Sequence, residues 1–399
     1  MSHILLLTLL RYPEIQGGVD AMVVNLATQL QLRHKVSVFV PGDWSVESLR
    51  RGEADGIDVF SLRLRMPYGG GRPLADFFGW ILEFPRTLLT LRSLMSTQGI
   101  DLIHAQVAKD YHMYLRVLRW IGGPPYVVTL HGSDVAAFSA QHKLSQWLVK
   151  FALRGAARII GVSRWLARDA ERLFPGIGPV ICVYNGLQLP ARGVSAGPLV
   201  AQWLEPVPEP FVILVGSLDS YKGHDLALRA WAELPAEAGR LHLLIVGEGE
   251  GRPEYETLVA ELGCQERVRL VGQVIHDDVL RLMSRAVAVL LPSRREGFAY
   301  ALLEAGALGA LVICTRIPAF EEIIENGVNG IMVPVEDVPA LVVALARVAA
   351  EPALRDRLGQ RLQEKVRADF QAEGMAAGYN CIYDSVLKGN RCGVKRLGR

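Results

Sequence analysis

The chain has 399 residues, of which 50% are hydrophobic and 21% are charged. This length is too great for one ordinary hydrophobic core and indicates two domains, and the composition excludes an intrinsically disordered chain. The net charge is only +2, and no nucleic-acid partner is predicted. Residues 1–190 carry 20 Lys/Arg and 14 Asp/Glu, whereas residues 191–387 carry 18 and 27. A basic first half suits anionic lipid or an acidic acceptor, and an unevenly charged solvated surface explains it equally well.

Short apolar, β-branched runs alternate with segments of helical period along the chain, which is typical of βαβ units and parallel sheets. The first half has seven predicted strands, at Ile4–Leu9, Val36–Val40, Ile57–Leu62, Leu102–Ala105, Tyr126–Leu130, Arg158–Val162 and Val180–Tyr184. The second half has six, at Phe211–Val215, Leu241–Val246, Val268–Val271, Ala286–Leu291, Leu311–Cys314 and Ile331–Val333. The pattern predicts an α/β chain with two doubly wound, Rossmann-like domains, whose ligands bind at the carboxyl ends of the strands in a cleft that the domains face.

A Pro-rich stretch from Pro190 to Pro210 interrupts the pattern and reads as a linker. The predicted organisation is a first domain over residues 1–190, a linker over 191–210, a second domain over 211–370 and a C-terminal segment over 371–399. Three helices are predicted near the end of the chain, at Val335–Ala350, Pro352–Asp369 and Ala372–Leu387. A bend near Phe370 would allow the last helix to return to the first domain, followed by a basic tail.

No secretory signal or membrane-spanning segment is predicted. The segment from Leu74 to Met95 is rich in aromatic and aliphatic residues but also contains charged ones. It is interpreted either as a core helix of the first domain or as a surface that faces a membrane or a lipid acceptor. The five cysteines are scattered and odd in number, which indicates no disulfide framework and a cytoplasmic protein, with peripheral membrane contact left open.

Two carboxylates, Glu296 and Glu304, bracket a predicted strand–turn–helix transition. One lies in the loop before the helix and the other about two turns into it, so that together they could hold an extended polar ligand. Backbone N–H groups at the start of such a helix can bind a diphosphate. For an isolated pair of glutamates, a surface role and a favourable helix dipole would be the more ordinary explanation, and here the strand–turn–helix context favours a ligand site.

The segment Glu296–Glu304 resembles the E-x7-E motif of retaining transferases with the GT-B fold, namely glycosyltransferase family 4. The resemblance continues through Glu322–Gly330 and spans nearly the whole chain. It implies that Glu296 binds hydroxyls of the donor sugar and that Glu304 binds the ribose hydroxyls. The backbones of Phe298 and Ala299 would line the sugar pocket.

A second motif, Gly216 to Asp225, follows the strand Phe211–Val215 and contains Lys222. It resembles the family loop in which an arginine and a lysine both contact the donor diphosphate. Lys222 matches the lysine, whereas Ser217 stands where the arginine is commonest. Arg294 and Arg295 are both candidates to replace the missing cation.

Three further loops resemble parts of the family's donor site. Gly17 and Gly18 match the N-terminal G-G loop, whose amides approach the donor from the opposite domain. His131, at the end of the strand Tyr126–Leu130, would lie beside the donor sugar and orient it. Val274 would contact the nucleobase through its backbone. Without the resemblance, the glycine pair is more simply explained by an ordinary turn, and a lone histidine is more often structural.

The resemblance implies a retaining transferase that moves a hexose from a nucleotide-sugar donor to a hydroxyl acceptor, in polysaccharide or glycolipid assembly, and the enzyme is predicted to be metal-independent. No cofactor is predicted, and the sequence contains no D-x-D triplet of the kind that commonly holds a metal-bound diphosphate. The alternatives are a GT-B epimerase or phosphorylase, and a non-catalytic subunit that binds nucleotide sugars. A dehydrogenase is a third alternative, which rests only on the Gly247–Gly251 loop, and this loop is interpreted as a turn because its glutamates would repel a pyrophosphate.

Overall fold

The computed structural model describes residues 1–8, 12–13, 15, 17–42, 48–68, 73–188, 207–235 and 240–389. These residues form two compact units. The first unit comprises Met1–Glu14, Val19–Asn185 and Ala372–Arg399, and the second comprises Ile15–Gly18 and Gly186–Gln371. Most of the predicted linker lies outside the described residues.

The first unit is built on an eight-stranded sheet in the order β3-β4-β2-β1-β5-β6-β7-β8. Its strands are β1 (His3–Leu7), β2 (Lys35–Gly42), β3 (Arg50–Ala54), β4 (Ile57–Arg63), β5 (Leu102–Gln106), β6 (Tyr126–Leu130), β7 (Arg158–Gly161) and β8 (Val180–Cys182). Its helices are α1 (Gly18–Gln31), α2 (Pro73–Gln98), α3 (Met113–Trp120), α4 (Ser133–Ala136), α5 (Lys143–Gly155), α6 (Arg164–Leu173) and α14 (Ala372–Leu387). All neighbouring strands are parallel except β3, which pairs antiparallel with β4.

The second unit is built on a six-stranded parallel sheet in the order β11-β10-β9-β12-β13-β14. Its strands are β9 (Phe211–Val215), β10 (His242–Val246), β11 (Val268–Gly272), β12 (Ala288–Leu291), β13 (Val312–Thr315) and β14 (Ile331–Val333). Its helices are α7 (His224–Ala232), α8 (Arg252–Glu261), α9 (His276–Arg285), α10 (Tyr300–Ala307), α11 (Pro318–Glu321), α12 (Val338–Ala350) and α13 (Pro352–Asp369). The strands other than the edge strand β11 are almost wholly buried, because helices cover both faces of the sheet. The two sheets confirm the predicted fold class.

Strand β3 is the element that the sequence prediction missed. Its residues are mostly exposed, because it lies at the edge of the sheet, and it therefore has no apolar pattern. The turn that joins it to β4 is Asp55-Gly56, with φ of 51° and 72° at the two residues. Asp-Gly is the commonest signature of such a two-residue hairpin, so this dipeptide was the available signal.

The last helix, α14, belongs to the first unit. Its Tyr379 and Tyr383 are completely buried there, and its Asn380 Oδ1 lies 2.9 Å from His34 Nε2. Cys381 on this helix is disulfide-bonded, whereas Cys264 and Cys314 in the second unit are free thiols. Among the described residues, none of the helices has the length and apolar character needed to cross a bilayer.

Candidate active site

Lys222 lies at the end of a tight loop that leaves β9 at its carboxyl end. The loop closes with a 3₁₀ turn at Ser220–Lys222, and Gly223 then adopts a left-handed conformation with φ of 73°. A Cβ atom at Gly223 would lie only 2.1 Å from the carbonyl oxygen of Pro292, so no other residue fits without rearrangement. The Lys-Gly pair therefore seats Lys222 against the loop that follows β12.

Glu296 pairs directly with this lysine. Lys222 Nζ lies 2.7 Å from Glu296 Oε1, and the Ser293 hydroxyl donates to the same oxygen at 2.9 Å. The two side chains are only 20% and 10% exposed. Burial alone would lower the pKa of Lys222, but the charge of Glu296 and its hydrogen bond more than offset this and raise that pKa above its ordinary value. The lysine is therefore a cation at every physiological pH.

Arg294 clamps the two loops together. Its guanidinium donates to both carboxylate oxygens of Asp225, at 2.7 and 2.8 Å, and also contacts Glu336. Its backbone N–H donates to the carbonyl of Tyr221 at 2.8 Å, and its side chain donates to that of Ser220. The hydrogen bonds to the two carboxylates raise the pKa of Arg294. Of the two arginines considered as replacements for the cation missing at Ser217, Arg294 is thus already engaged with carboxylates.

Ser217 is exposed, and its hydroxyl donates to Asp219 Oδ2 at 2.5 Å. The backbone on either side of Ser217 packs against the Gly247–Gly251 loop. Cβ atoms at Gly247, Gly249 and Gly251 would lie 1.9, 2.8 and 2.4 Å from backbone atoms of residues 216 and 218. Close backbone packing under the Lys222 loop therefore accounts for these three glycines, and the dinucleotide interpretation is not needed to explain them.

Helix α10 begins directly after this site. Phe298 and Ala299 are both 7% exposed, and Ala299 stands at the N-cap without a side-chain capping bond. The Phe298 ring packs against Phe370, with ring centroids 5.9 Å apart. Since the first amides of a helix lack intrahelical partners, the start of α10 offers N–H groups and the positive end of the helix dipole.

Glu304, the second carboxylate of the motif, lies on the buried side of α10. It is 8% exposed, and burial raises its pKa to about 7. Its Oε1 lies 3.3 Å from Nε2 of His276, the first residue of α9, and burial lowers the pKa of this histidine. His276 is therefore neutral near pH 7, and Glu304 exchanges its proton close to this pH. His276 was missed in the sequence, although it stands two residues after Val274, which is half-buried.

Gly18 begins α1, and residues Ile15–Gly18 group with the second unit. A Cβ atom at Gly18 would lie 2.7 Å from Cβ of Tyr300, whereas one at Gly17 would meet nothing within 4 Å. Glycine at position 18 is thus required by close packing. Space alone does not require it at position 17.

His131 belongs to the first unit, at the carboxyl end of β6. It is 7% exposed, and burial lowers its pKa to about 3. The buried Asp134 carboxylate accepts the backbone N–H groups of His131, Gly132, Val135 and Ala108. Ala108 follows β5, so this carboxylate joins the loops after two neighbouring strands and fixes the backbone at His131.

A second set of contacts fixes the His131 ring. Its Nε2 lies 2.9 Å from Gln106 Oε1, and Gln106 Nε2 lies 3.1 Å from His104 Nε2. His104 in turn lies 2.7 Å from both the Thr129 and Tyr383 hydroxyls. The whole chain of contacts is buried and links His131 to helix α14. Sequence reasoning missed Gln106 and His104 because they stand inside a strand, where they read as ordinary sheet residues.

Apart from Gly17, Gly18 and Val274, the predicted site residues fall into three groups. Lys222 and Glu296 are brought into contact, with Ser217, Phe298 and Ala299 on the loops beside them. Glu304 is paired with His276 on the next helix. His131 is held in a neutral network of the first unit. Among the described residues, no group of three or more His, Cys, Asp or Glu side chains is arranged to hold a metal ion.

Comparison with known proteins places this geometry in a family. Residues 199–365 match the model of the glycosyl transferases group 1, and residues 17–186 match that of the glycosyl transferase 4-like domain. The chain belongs to this glycosyltransferase family. It is therefore a glycosyltransferase that uses a nucleotide-sugar donor.

Relatives of the family cover most of the chain. It is 26% identical over 325 residues to N-acetyl-alpha-D-glucosaminyl L-malate synthase of Bacillus anthracis, over 78% of this chain and 83% of that protein. Sucrose-phosphate synthase of Thermosynechococcus elongatus has a similar structure, with a TM-score of 0.78, 24% identity, and coverage of 98% of this chain and 100% of that one. The structure of the Anabaena protein HepE in complex with UDP-glucose is also similar, with a TM-score of 0.73 and 19% identity. The match covers 98% of this chain and 100% of that one. These structures share the GT-B fold with this glycosyltransferase.

Proposed function

We propose that this glycosyltransferase is a retaining, metal-independent hexosyltransferase that acts on a hydroxyl acceptor in cell-surface polysaccharide or glycolipid assembly. The observation that carries the proposal is the half-buried Lys222–Glu296 pair at the carboxyl edge of the second sheet, beside the start of α10. Lys222 supplies a permanent cation for a diphosphate, and Glu296 supplies a carboxylate for sugar hydroxyls. The two charged groups are in direct contact.

In the proposed reaction, the acceptor oxygen forms a bond to the anomeric carbon on the face from which the diphosphate leaves. The bond between that carbon and the phosphate oxygen breaks, and the proton of the acceptor hydroxyl passes to the departing diphosphate. Negative charge grows on the diphosphate during this step, and Lys222 and the amides at the start of α10 stabilise it. Preorganised charge of this kind is typically the largest contribution to such a rate.

Lys222 is ready for this role before the donor arrives. Its charge is balanced by Glu296, and Ser293 holds the carboxylate in place. When a donor binds, we expect the ammonium to be shared between the carboxylate and the diphosphate, while Glu296 also accepts hydrogen bonds from the sugar. The positive charge in this scheme comes from the protein itself, which is why we propose that no metal ion is required.

We propose that Glu304 binds the ribose of the nucleotide and that Val274 lies beside the base, because Glu304 on α10 contacts His276 at the start of α9, two residues after Val274. Gly17 and Gly18 approach the donor phosphates in this proposal, and His131 orients the sugar as a neutral residue. The HepE structure contains UDP-glucose, and uridine diphosphate sugars are therefore the first donors to test.

The decisive experiment measures release of nucleoside diphosphate from a panel of nucleotide sugars, with and without hydroxyl acceptors and with and without a chelator. We expect nucleoside diphosphate to be released only when an acceptor is present, and to be released equally in the presence of a chelator. NMR of the product should show that the anomeric configuration of the donor is retained. A thermal-shift screen first selects the donor, because a ligand that binds the native state raises the melting temperature.

Other outcomes of this experiment would replace the proposal. Conversion of the donor to another nucleotide sugar without an acceptor would show an epimerase. Binding without turnover across the acceptor panel would show a binding subunit. Loss of release in chelator, restored by a divalent ion, would show that the metal-independent part is wrong.

A further inference from the structure

Helix α2 presents one continuous apolar face to solvent. Its exposed large side chains are Leu74, Phe77, Phe78, Ile81, Leu82 and Leu89, and Leu82 and Phe78 are 79% and 61% exposed. They recur at the three- and four-residue spacing that places side chains on one side of a helix. Four further apolar residues of the helix, Leu88, Leu91, Leu94 and Met95, are buried. The helix thus combines apolar side chains that pack inside the protein with an apolar face that is uncovered.

Exposed aromatic residues continue onto the next two helices. Trp120 at the end of α3 is 64% exposed and Trp147 on α5 is 59% exposed. Both rings pack on the half-buried Phe151, with centroids 5.5 and 5.4 Å from it, and the Arg116 guanidinium lies 4.2 Å from the Phe151 centroid. Helix α2 contacts α3 and α3 contacts α5. The three helices follow right-handed crossovers in one direction across the sheet, so they cover the same face of it.

The charges on this face have one sign. Its exposed basic residues are Arg86, Arg92, Arg119, Lys143 and Arg154. Helices α3 and α5 contain no acidic residue. On α2, Asp76 is buried and Glu83 is neutralised by Arg63 and Arg65, at 2.7 and 2.5 Å. The face therefore combines exposed apolar side chains with unopposed positive charge.

We propose that this α2–α3–α5 face docks on a lipid bilayer that contains anionic lipid. An apolar helix face flanked by Arg and Lys, with Trp at its border, has the composition of a surface that lies in the headgroup region. The aliphatic and aromatic side chains enter the acyl boundary, and the cations meet the lipid phosphates. The inference depends on this surface alone and does not require the proposed sugar transfer.

A second copy of the chain is a poorer occupant. A two-fold dimer through this face would bring the same patch of each copy together, and the basic residues of one copy would meet those of the other. The face has no exposed acidic residue on its three helices to compensate. An anionic bilayer satisfies the charges and the apolar side chains at once.

The test uses the full chain with vesicles of phosphatidylcholine alone and of phosphatidylcholine with about one third phosphatidylglycerol, in a flotation assay. Two variants divide the face: Phe78→Ser with Leu82→Ser removes apolar contact, and Arg86→Gln with Arg92→Gln removes charge. The matched control is Leu32→Ser with Arg33→Gln, an exposed apolar–basic pair next to α1, whose crossover runs in the opposite direction across the sheet.

We expect wild type and control to float with the anionic vesicles and to bind neutral ones at least tenfold more weakly. Each α2 variant should partition onto the anionic vesicles about tenfold or more weakly than wild type. Binding of wild type should weaken as the salt concentration rises from about 0.1 M to about 0.5 M. Equal binding to neutral and anionic vesicles, or no binding by wild type, would overturn the proposal. So would variants that abolish self-association in sedimentation experiments but leave flotation unchanged.

A second measurement, tryptophan quenching by brominated lipid, does not depend on whether the α2 variants fold. Brominated phosphatidylglycerol quenches tryptophan only when the ring reaches the acyl region, and Trp120 and Trp147 lie on the proposed surface. We expect quenching in wild type that is largely lost in the Trp120→Phe, Trp147→Phe double variant. Unchanged quenching in that variant would place the contact elsewhere on the protein and overturn the assignment of this face.

Discussion

The two units place very different polar groups at the ends of their strands. In the second unit the groups are charged and partly open to solvent, as Lys222, Glu296 and Arg294 show. In the first unit the corresponding groups are buried and neutral, and burial lowers the pKa values of both His104 and His131 to about 3. From this difference we propose that the second unit supplies charge for a diphosphate and that the first supplies fixed hydrogen bonds for an uncharged ligand.

The largest expected effect tests the charged side of this comparison. Lys222→Ala should lower kcat by about 100-fold or more, because it removes one preorganised cation from the site of developing charge. Lys365→Ala serves as the control, since this partly exposed lysine forms an ion pair with Asp369 within α13. Initial rates of nucleoside diphosphate release measure the effect, and equal melting temperatures show that the fold is kept. A kcat within a few-fold of wild type would remove Lys222 from the mechanism.

The next prediction concerns the first unit, where a substitution would introduce charge into the neutral network around His131. Gln106→Glu would place a carboxylate where an amide oxygen now lies 2.9 Å from His131 Nε2. An opposite charge at this distance favours the protonated ring, so the pKa of His131 should rise by about one to three units. We expect turnover to fall about tenfold, with a new decline toward low pH as the ring gains its proton.

Gln106→Leu is the matched variant, because it removes the hydrogen bond without adding charge. It should lower turnover without introducing a new pH dependence. NMR titration of His131 in both variants provides a readout that a purely structural role for Gln106 would leave unchanged. If the two variants give the same pH profile, the neutrality of His131 has no bearing on catalysis.

A third prediction concerns Glu304, which combines burial with a proposed ribose contact. Its pKa of about 7 means that it gains a proton as the pH falls through 7, so donor affinity should weaken below that pH. Glu304→Gln should weaken donor binding by about tenfold at pH 8 and largely abolish this pH dependence. Isothermal titration with the donor between pH 5 and pH 8 measures both effects.

Although Glu304→Gln should weaken donor binding, the same variant should make the folded protein more stable. The pKa of Glu304 is raised in the folded state, so the native protein binds the proton more tightly than the unfolded chain, and stability falls as pH rises toward 7. Glu304→Gln avoids the buried charge and should stabilise the protein by about 1–3 kcal/mol at pH 8 but hardly at pH 5. Melting temperatures that are lower than those of wild type at pH 8 would contradict this.

The smallest effect is expected at Ser217. Ser217→Arg would add a second cation on the exposed side of the Lys222 loop, where the serine hydroxyl now donates to Asp219. We expect donor affinity to improve by about two- to fivefold, since an exposed ion pair contributes little. Ser217→Gln controls for side-chain length. Affinity that is unchanged or reduced would show that the site accommodates its diphosphate without a cation at this position.

Much of this arrangement was readable from the sequence. The apolar strand runs are continuous because helices cover both faces of the sheets, so they predicted all strands except the exposed edge strand β3. The Glu296 and Lys222 motifs pointed to loops at the carboxyl ends of strands, and the structure places both there.

What could not be read depends on contacts between distant positions. Nothing local shows that Gly223 must avoid the Pro292 carbonyl, that Arg294 binds Asp225, or that His276 meets Glu304. These pairs form only when neighbouring strands bring their loops together, and no single-sequence pattern records which loops will meet.

The place of α14 has a consequence for how the protein is made. Tyr379 and Tyr383 complete the interior of the first unit, yet the ribosome produces them only after the entire second unit. The amino-terminal sheet is therefore synthesised hundreds of residues before the helix that covers it, and His104 has no tyrosine hydroxyl beside it until then. A fragment that stops at Asn185 would contain all eight strands of the first sheet but would lack the two tyrosines that complete its interior.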